Sequence, residues 1–195
     1  VMHEGLKWEW ESFKEYLDAL EKRDRDIDIC TLLPHAALRV YVMGERAIKH
    51  ERANKEDLKK MRLITKEAIL AGAFGFSTSR TISHKSLKGE YTPTLRAHED
   101  ELTEIALGMK DAGAGFMEIV SDWNEPDPET EFNVLKRISK KSGRPIVFSL
   151  TQRHDRPDFW KDLMKMSLKA KEEGLSIRPV AVSYTHLTLP TILRV

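Results

Sequence analysis

The strongest constraint on the fold is a pattern of alternating helix-like and strand-like segments that repeats along the chain. Four segments with apolar residues at helical spacing each end near a glycine, and each is followed at once by a short apolar run typical of a buried strand. The glycines are Gly72, Gly113, Gly143 and Gly174. Each can adopt the left-handed conformation that closes a helix. This alternation predicts βα units and a parallel sheet.

The spacing of the predicted strands narrows the choice of fold. They cover residues 74–79, 115–122, 145–152 and 177–181, and their starts, near 74, 115, 145 and 176, are 41, 30 and 31 residues apart. A (β/α)8 barrel uses about 250 residues for eight units, roughly 31 for each. The chain is therefore predicted to be α/β, with about four to five units of a partial (β/α)8 TIM-type barrel. A doubly wound open sheet is the alternative, although no G-x-G-x-x-G follows any strand.

The N-terminal part of the chain gives weaker signals. A first helix is indicated by one apolar stripe at helical spacing: Trp10, Phe13, Leu17 and Leu20. Residues 27–33 are predicted to form a short buried strand, and residues 38–43 a second extended segment. A helix is then predicted to begin at Asn54, where Asp57 completes a capping box.

Composition excludes several classes of protein. With 195 residues, of which 41% are hydrophobic, the chain can bury a core. Its 32 Lys and Arg nearly balance its 31 Asp and Glu, so a net charge of +1 offers no field to recruit nucleic acid or an anionic membrane. The single cysteine, Cys30, can form neither an internal disulfide nor a multi-cysteine metal site. No segment has the roughly 18 apolar residues of a membrane span. We therefore expect a cytoplasmic protein without nucleic-acid or membrane partners.

Both ends of the chain are expected to be breaks in a longer protein. The sequence begins at Val1, without an initiator methionine or a charged-then-apolar signal sequence. Residues 182–191 resemble a translation of the transposase adapter used to prepare sequencing libraries. We therefore interpret residues 1–181 as one partial barrel domain and residues 182–195 as a non-native tail. A natural β-rich tail is the alternative.

Two carboxylates on one strand are the first candidates for a functional site. In a barrel, functional side chains lie where the strands end, on loops that converge over one mouth. Alternation along residues 116–122 places Glu118 and Asp122 on the same face of an otherwise apolar strand. If that face lines the barrel, both are candidates for acid/base catalysis or ligand binding. The alternatives are an ion pair for Glu118 and a helix cap for Asp122.

Further candidates follow other predicted strands. His35 closes the first strand, where an imidazole could be a ligand or proton carrier, or else a hydrogen-bonded structural histidine. Arg80 and His84 begin the long connection 80–97 and could bind a substrate carboxylate, since arginine offers a planar bidentate fork; a solvated loop is the alternative. Ser149, which faces inward, and Gln152, at the strand end, suit a hydrated pocket or a core with satisfied hydroxyls.

Two segments resemble a known enzyme family. Residues 34–44 read PHAALRVYVMG and residues 67–78 read EAILAGAFGFST. They resemble the D-aminoacylase (N-acyl-D-amino-acid deacylase) branch of the amidohydrolase superfamily, and the likeness extends up to Ala181. The resemblance implies a (β/α)8 barrel beside a small β-sandwich, which hydrolyses an amide C–N bond of a small N-acylated substrate. It also implies zinc, which would polarise the carbonyl and activate water while an aspartate shuttles protons.

The chain departs from the pattern of this family at two strands. The family usually has a T-H-x-R strand where residues 117–120 read MEIV, and an S-H-H strand where residues 149–151 read SLT. Both histidine ligands are therefore replaced, and Cys30 does not match the family's metal cysteine. The H-x-H pair and the proton-transfer aspartate would lie outside this chain. Metal binding by upstream ligands, a site assisted by Glu118, loss of the metal and its deacylase chemistry, and an inactive fragment all stay open.

Overall fold

A computed structural model describes residues 8–95, 97–123, 127–150, 153 and 155–181 of the chain. These residues form seven helices and five strands. In chain order they are α1 (Phe13–Glu21), β1 (Leu32–Pro34), α2 (His35–Met43), α3 (Glu45–Ile48), α4 (Lys55–Ala71), β2 (Gly75–Ser79), α5 (Glu99–Ala112), β3 (Phe116–Val120), α6 (Pro128–Ser142), β4 (Ile146–Leu150), α7 (Phe159–Glu172) and β5 (Ile177–Ala181).

The strands form one parallel sheet in the order β1-β2-β3-β4-β5, so each strand pairs with the next one in the chain. One face of the sheet is buried against the helices, and its side chains align across the strands: Leu33, Phe76, Met117, Ile146 and Ile177. Side chains of the opposite parity are half-buried or exposed at most positions. A doubly wound sheet carries helices on both faces. The sequential order and one-sided burial therefore confirm the prediction of a partial barrel and exclude the alternative.

The ends of the helices follow the predicted signals. Asn54 precedes α4, and its side-chain oxygen accepts hydrogen bonds from the backbone N–H groups of Glu56 and Asp57, both at 2.9 Å. The Asp57 carboxylate accepts in return from the N–H of Asn54 at 2.8 Å. This confirms the predicted capping box. Gly72, at φ 119°, and the glycines after α5 and α6 close their helices in the left-handed conformation, as predicted.

Two predictions for the N-terminal half are wrong. The predicted strand at residues 27–33 is reduced to β1, and Ile27 is 75% exposed. Residues 38–43 belong to the helix α2 and are not extended. Their β-branched and aromatic side chains favour strands, but burial of His35, Leu38, Arg39 and Met43 follows the spacing of one helical face. Tertiary packing has therefore outweighed local propensity.

The connection between β2 and α5 contains no helix or strand among its described residues. An isolated antiparallel bridge joins Lys85 to Tyr91 within it, and residue 96 lies outside the described residues. No helix in the described ranges is long and apolar enough to cross a membrane.

Candidate active site

The uncovered face of the sheet carries a row of polar side chains. We call it the open face, and its described strand residues are Leu32, Pro34, Gly75, Ser77, Ser79, Phe116, Glu118, Val120, Val147, Ser149, Arg178 and Val180. Ser77 lies opposite Glu118, Glu118 opposite Val147, and Val147 opposite Arg178. In a barrel this face lines the interior, below the mouth where parallel strands end. The open face is therefore where a ligand would meet the strands.

Glu118 occupies the middle of β3 on the open face. Its neighbours Met117 and Ile119 are fully buried on the helix-facing side, whereas Glu118 is exposed. The predicted alternation thus places this carboxylate toward the barrel interior. Its role in acid/base catalysis or ligand binding stays a prediction.

Asp122 has a different environment from Glu118. It lies two residues beyond the end of β3 and is only 2% exposed. The adjacent Trp123 is also buried, and its indole N–H donates to the carbonyl oxygen of Ser149 at 3.3 Å. The two carboxylates therefore do not share one exposed surface. Asp122 belongs to the packed junction beyond the carboxyl ends of β3 and β4.

His84 is brought back to the end of β2 by a contact with Ser79. The two side chains lie 2.7 Å apart, from Ser79 Oγ to His84 Nδ1. Thr94 Oγ1 donates to the carbonyl oxygen of Ser79 at 2.5 Å, so a second point of the loop is fixed to the same residue. Ser79 was not a predicted site residue. The alternation of Gly75, Ser77 and Ser79 along β2 is the sequence signal that could have identified it.

Arg80 is held by protein groups on every side. Its Nε and Nη2 donate to the Glu131 carboxylate at 2.9 and 3.1 Å, and its Nη1 donates to the carbonyl oxygen of Ala97. The two side chains are only 11% and 8% exposed. All three guanidinium nitrogens therefore serve to join the end of β2 to α6 and to the end of the long loop.

His35 lies on the helix-facing side of the sheet and is 1% exposed. Its Nδ1 is 2.7 Å from Thr78 Oγ1, and its Nε2 is 2.7 Å from Glu101 Oε1. Arg39 Nε donates to the same Glu101 oxygen at 3.0 Å. Because Thr78 alternates with Ser77 on β2, this network lies on the face opposite to Glu118.

The surroundings of His35 determine its protonation. Burial lowers the pKa of His35, although the hydrogen bond that its Nε2 donates to the Glu101 carboxylate acts in the opposite direction. A carboxylate can only accept, so the neutral imidazole carries its proton on Nε2, and its Nδ1 accepts a hydrogen bond from the Thr78 hydroxyl. This arrangement is that of a hydrogen-bonded structural histidine.

Of the two remaining candidates, Ser149 is half-buried on the open face of β4. Gln152 lies outside the described residues, as does Thr151.

The zinc implied by the resemblance is not accommodated by the described residues. Among them, no three His, Cys, Asp or Glu side chains are grouped so that they could hold a metal ion. Cys30 is a free, exposed thiol. Glu118 and His84 are single groups on the open side, and a structural or catalytic zinc site needs at least three protein ligands.

Comparison with known proteins agrees with the resemblance. The model of the amidohydrolase family matches residues 1–185. A D-aminoacylase from Alcaligenes xylosoxydans xylosoxydans is 24% identical over 99% of this chain and 38% of its own length. An N-acyl-D-aspartate deacylase from the same organism is 32% identical over 91% of this chain and 34% of its own length. The chain thus spans between a third and two fifths of these relatives.

Solved structures show the same fold. A crystal structure of D-aminoacylase superimposes with a TM-score of 0.71 at 20% identity, covering 87% of this chain and 33% of that one. The structure of an N-acyl-D-glutamate deacylase from Bordetella bronchiseptica superimposes with a TM-score of 0.69 at 20% identity, covering 86% of this chain and 33% of that one. That structure contains zinc and a phosphonate inhibitor that mimics the tetrahedral intermediate. Another D-aminoacylase structure is described as having a binuclear metal centre. The sequence match, the sheet and these likenesses together show that the chain belongs to the amidohydrolase family.

Proposed function

We propose that the whole protein hydrolyses a non-peptide C–N amide bond in an N-acyl-D-amino acid or a similar N-acylated substrate. The observation that carries this proposal is the open face of the parallel sheet. The proposal is supported by Glu118, Ser77 and the Ser79–His84 pair, which lie on the face of the sheet that would line the interior of a barrel. Relatives of this chain act on N-acyl-D-amino acids.

Glu118 is assigned the role of the acid/base or ligand group. An exposed carboxylate in the middle of an interior strand can accept a proton from water or hold a donor of the substrate. His84, fixed through Ser79, is assigned to substrate binding at the mouth, and Ser149 lies on the same face. Zinc enters the proposal only through the relatives, and no role in holding it is assigned to the described residues.

The second candidate is a divergent barrel without deacylase chemistry. It is favoured by the sequences MEIV at residues 117–120 and SLT at residues 149–151, which stand where the family that the chain resembles has histidine ligands. The two candidates differ in metal content and in activity, so one preparation separates them.

The experiment uses the full-length protein, purified without chelators. We expect it to release free amino acid from N-acetyl-D-amino acids, with the L-enantiomers as controls, and to retain about one equivalent of zinc. A folded, metal-free protein that hydrolyses none of these compounds would support the divergent barrel.

A single substitution tests the role of Glu118. Replacement Glu118→Gln removes the charge while keeping the shape, and we expect kcat to fall by about 100-fold or more, the usual contribution of a positioned acid or base. Glu129→Gln makes the same change at an exposed position of α6 and is expected to leave kcat unchanged. Equal activity of Glu118→Gln and the wild-type protein would remove this role.

A further inference from the structure

Arg178 stands out on the open face because it is the only basic side chain among the strand residues that define that face. It is the second residue of β5 and is exposed, whereas the preceding Ile177 is 3% exposed on the helix-facing side. Within the described part of the chain its guanidinium forms no hydrogen bond or ion pair. This leaves a cation directed toward the barrel interior with its donors available.

Two arginines that follow strands, unlike Arg178, are held by protein groups. Arg80, after β2, is bound by Glu131 and by the carbonyl oxygen of Ala97. Arg153, after β4, donates to both carboxylate oxygens of Asp155, at 3.0 and 2.6 Å, and to the carbonyl oxygen of Trp123. Neither guanidinium can accept a new anion without losing these partners. Arg178 can.

Glu118 lies in the same row as Arg178, with Val147 between them. Neighbouring strands are about 4.8 Å apart, so the two backbones are separated by roughly 10 Å. One end of the row therefore attracts an anion while the other repels it, and an apolar side chain lies between. Inside a barrel, where water is partly excluded, both effects are stronger than at an open surface.

An N-acylated amino acid has the chemistry that this row would recognise. It carries a carboxylate next to an amide whose N–H is a hydrogen-bond donor. Arginine binds carboxylates through two parallel N–H donors, which fixes orientation as well as position. When the substrate carboxylate lies at Arg178 on β5, the substrate amide N–H is directed toward the Glu118 carboxylate on β3.

We propose that Arg178 binds the carboxylate of the N-acylated amino acid and that Glu118 faces its amide group. Arg178 is thus the residue that selects anionic substrates. This assignment rests on the proposed function, and it places the anion-binding role on β5, whereas the sequence pattern placed it on Arg80.

The test measures binding and kinetics on the full-length protein. The probes are N-acetyl-D-leucine and its carboxamide, which lacks the carboxylate. We expect Arg178→Met to raise the Kd and the KM for N-acetyl-D-leucine by about tenfold or more, the loss typical of a charge-assisted contact, with a much smaller change in kcat. Arg178→Lys should be intermediate, and affinity for the carboxamide should not change. Lys60→Met, the same charge change at an exposed position of α4, should match the wild-type protein.

Several outcomes would overturn the assignment. An unchanged Kd for N-acetyl-D-leucine in Arg178→Met would do so directly. A second contradicting result would be that Arg178→Met lowers folding stability, that adding Glu118→Gln restores it, and that the ligand affinity stays constant. That result would mean that Arg178 and Glu118 form an internal ion pair. A wild-type protein that binds no N-acetyl-D-amino acid would overturn it together with the proposed function. Arg178-dependent binding without hydrolysis would support the assignment and contradict only the proposed function.

Discussion

Thr78 lies between Ser77 and Ser79 on β2, and this alternation separates two kinds of polar group in the molecule. Thr78 faces the helices and joins a buried network with His35 and Glu101. Its two neighbours face the open side, where Glu118 and His84 lie. A sequence can give the parity of a strand residue, but His35 meets a partner 66 positions away, which only the assembled fold reveals. His35 was therefore a site candidate for its type and position, whereas its contacts indicate a structural role.

The buried imidazole of His35 predicts a pH dependence of stability. Because burial lowers its pKa in the folded state, the unfolded chain binds more protons than the folded one below the ordinary histidine value of about 6.5. The free energy of unfolding should therefore fall as the pH decreases from about 7.5 to 5.5, by at most about 1.4 kcal/mol per pH unit from this group. Urea unfolding at several pH values measures this slope.

Two variants identify the group responsible for the slope. His35→Gln should be less stable than the wild-type protein at neutral pH, and it should lose the part of the slope due to His35. His98→Gln removes an exposed histidine at the start of α5 and should keep the wild-type slope. An identical slope in His35→Gln would show that another group titrates.

The ion pair between Arg80 and Glu131 predicts a cost in stability. Removing one partner leaves a buried charge without compensation, so Arg80→Met should lower the free energy of unfolding by about 3 kcal/mol. The double variant Arg80→Met with Glu131→Gln should recover part of this loss. As a control, Arg137→Met breaks an exposed Arg–Glu pair and should cost less than about 1 kcal/mol. If Arg80→Met instead keeps full stability and raises KM for acidic substrates, Arg80 binds substrate.

Among the helices and strands, the helix ends were predicted most reliably, because capping residues and closing glycines act directly on the backbone. Asn54 and Asp57 marked the start of α4, and Gly72 marked its end, because capping and left-handed closure depend on one or two residues. The segment that became α2 could not be recognised in this way. No side chain caps it, and its helical state depends on burying Leu38, Met43 and His35 against other elements.

Gly108 lies inside α5, at a close contact between α5 and α4. A Cβ added there would lie 2.4 Å from the carbonyl oxygen of Arg62 and 3.1 Å from Cβ of Thr65, so α4 and α5 approach each other through this residue. In an open helix, glycine to alanine is stabilising. Here Gly108→Ala should lower the free energy of unfolding by about 2 kcal/mol, since the two helices must separate.

The control for this prediction is an alanine at an exposed helical position. Lys140→Ala on α6 has no neighbour to displace and should change stability by less than about 0.5 kcal/mol. Thermal or urea unfolding of both variants gives the comparison. A Gly108→Ala protein more stable than the wild type would mean that α4 and α5 are not in close contact.

For the complete chain, the fold class could be predicted from the sequence, but the interactions of the candidate site residues could not. Regular intervals between strands depend on local patterns, and the barrel assignment follows from them. Which polar groups are available to a ligand depends on their partners. Within the described residues Arg80 is held by Glu131 and Arg178 has no partner, although both are arginines of the βα units in the sequence. The chain spans only 38% and 34% of the length of the two curated relatives.

The 195-residue chain by itself should associate through the sheet. Within the described residues β1 pairs with β2 alone and β5 with β4 alone, so both outer strands present unpaired backbone groups. Apolar side chains of the open face are also uncovered, and Val180 on β5 is 46% exposed. Val180→Lys places a charge on this edge and should shift the chain toward monomer in sedimentation velocity experiments. Leu168→Lys, at a 57% exposed position of α7, should leave the association unchanged. A wild-type chain that stays monomeric at every concentration, or equal effects of both lysines, would show that the sheet edge and open face do not drive association.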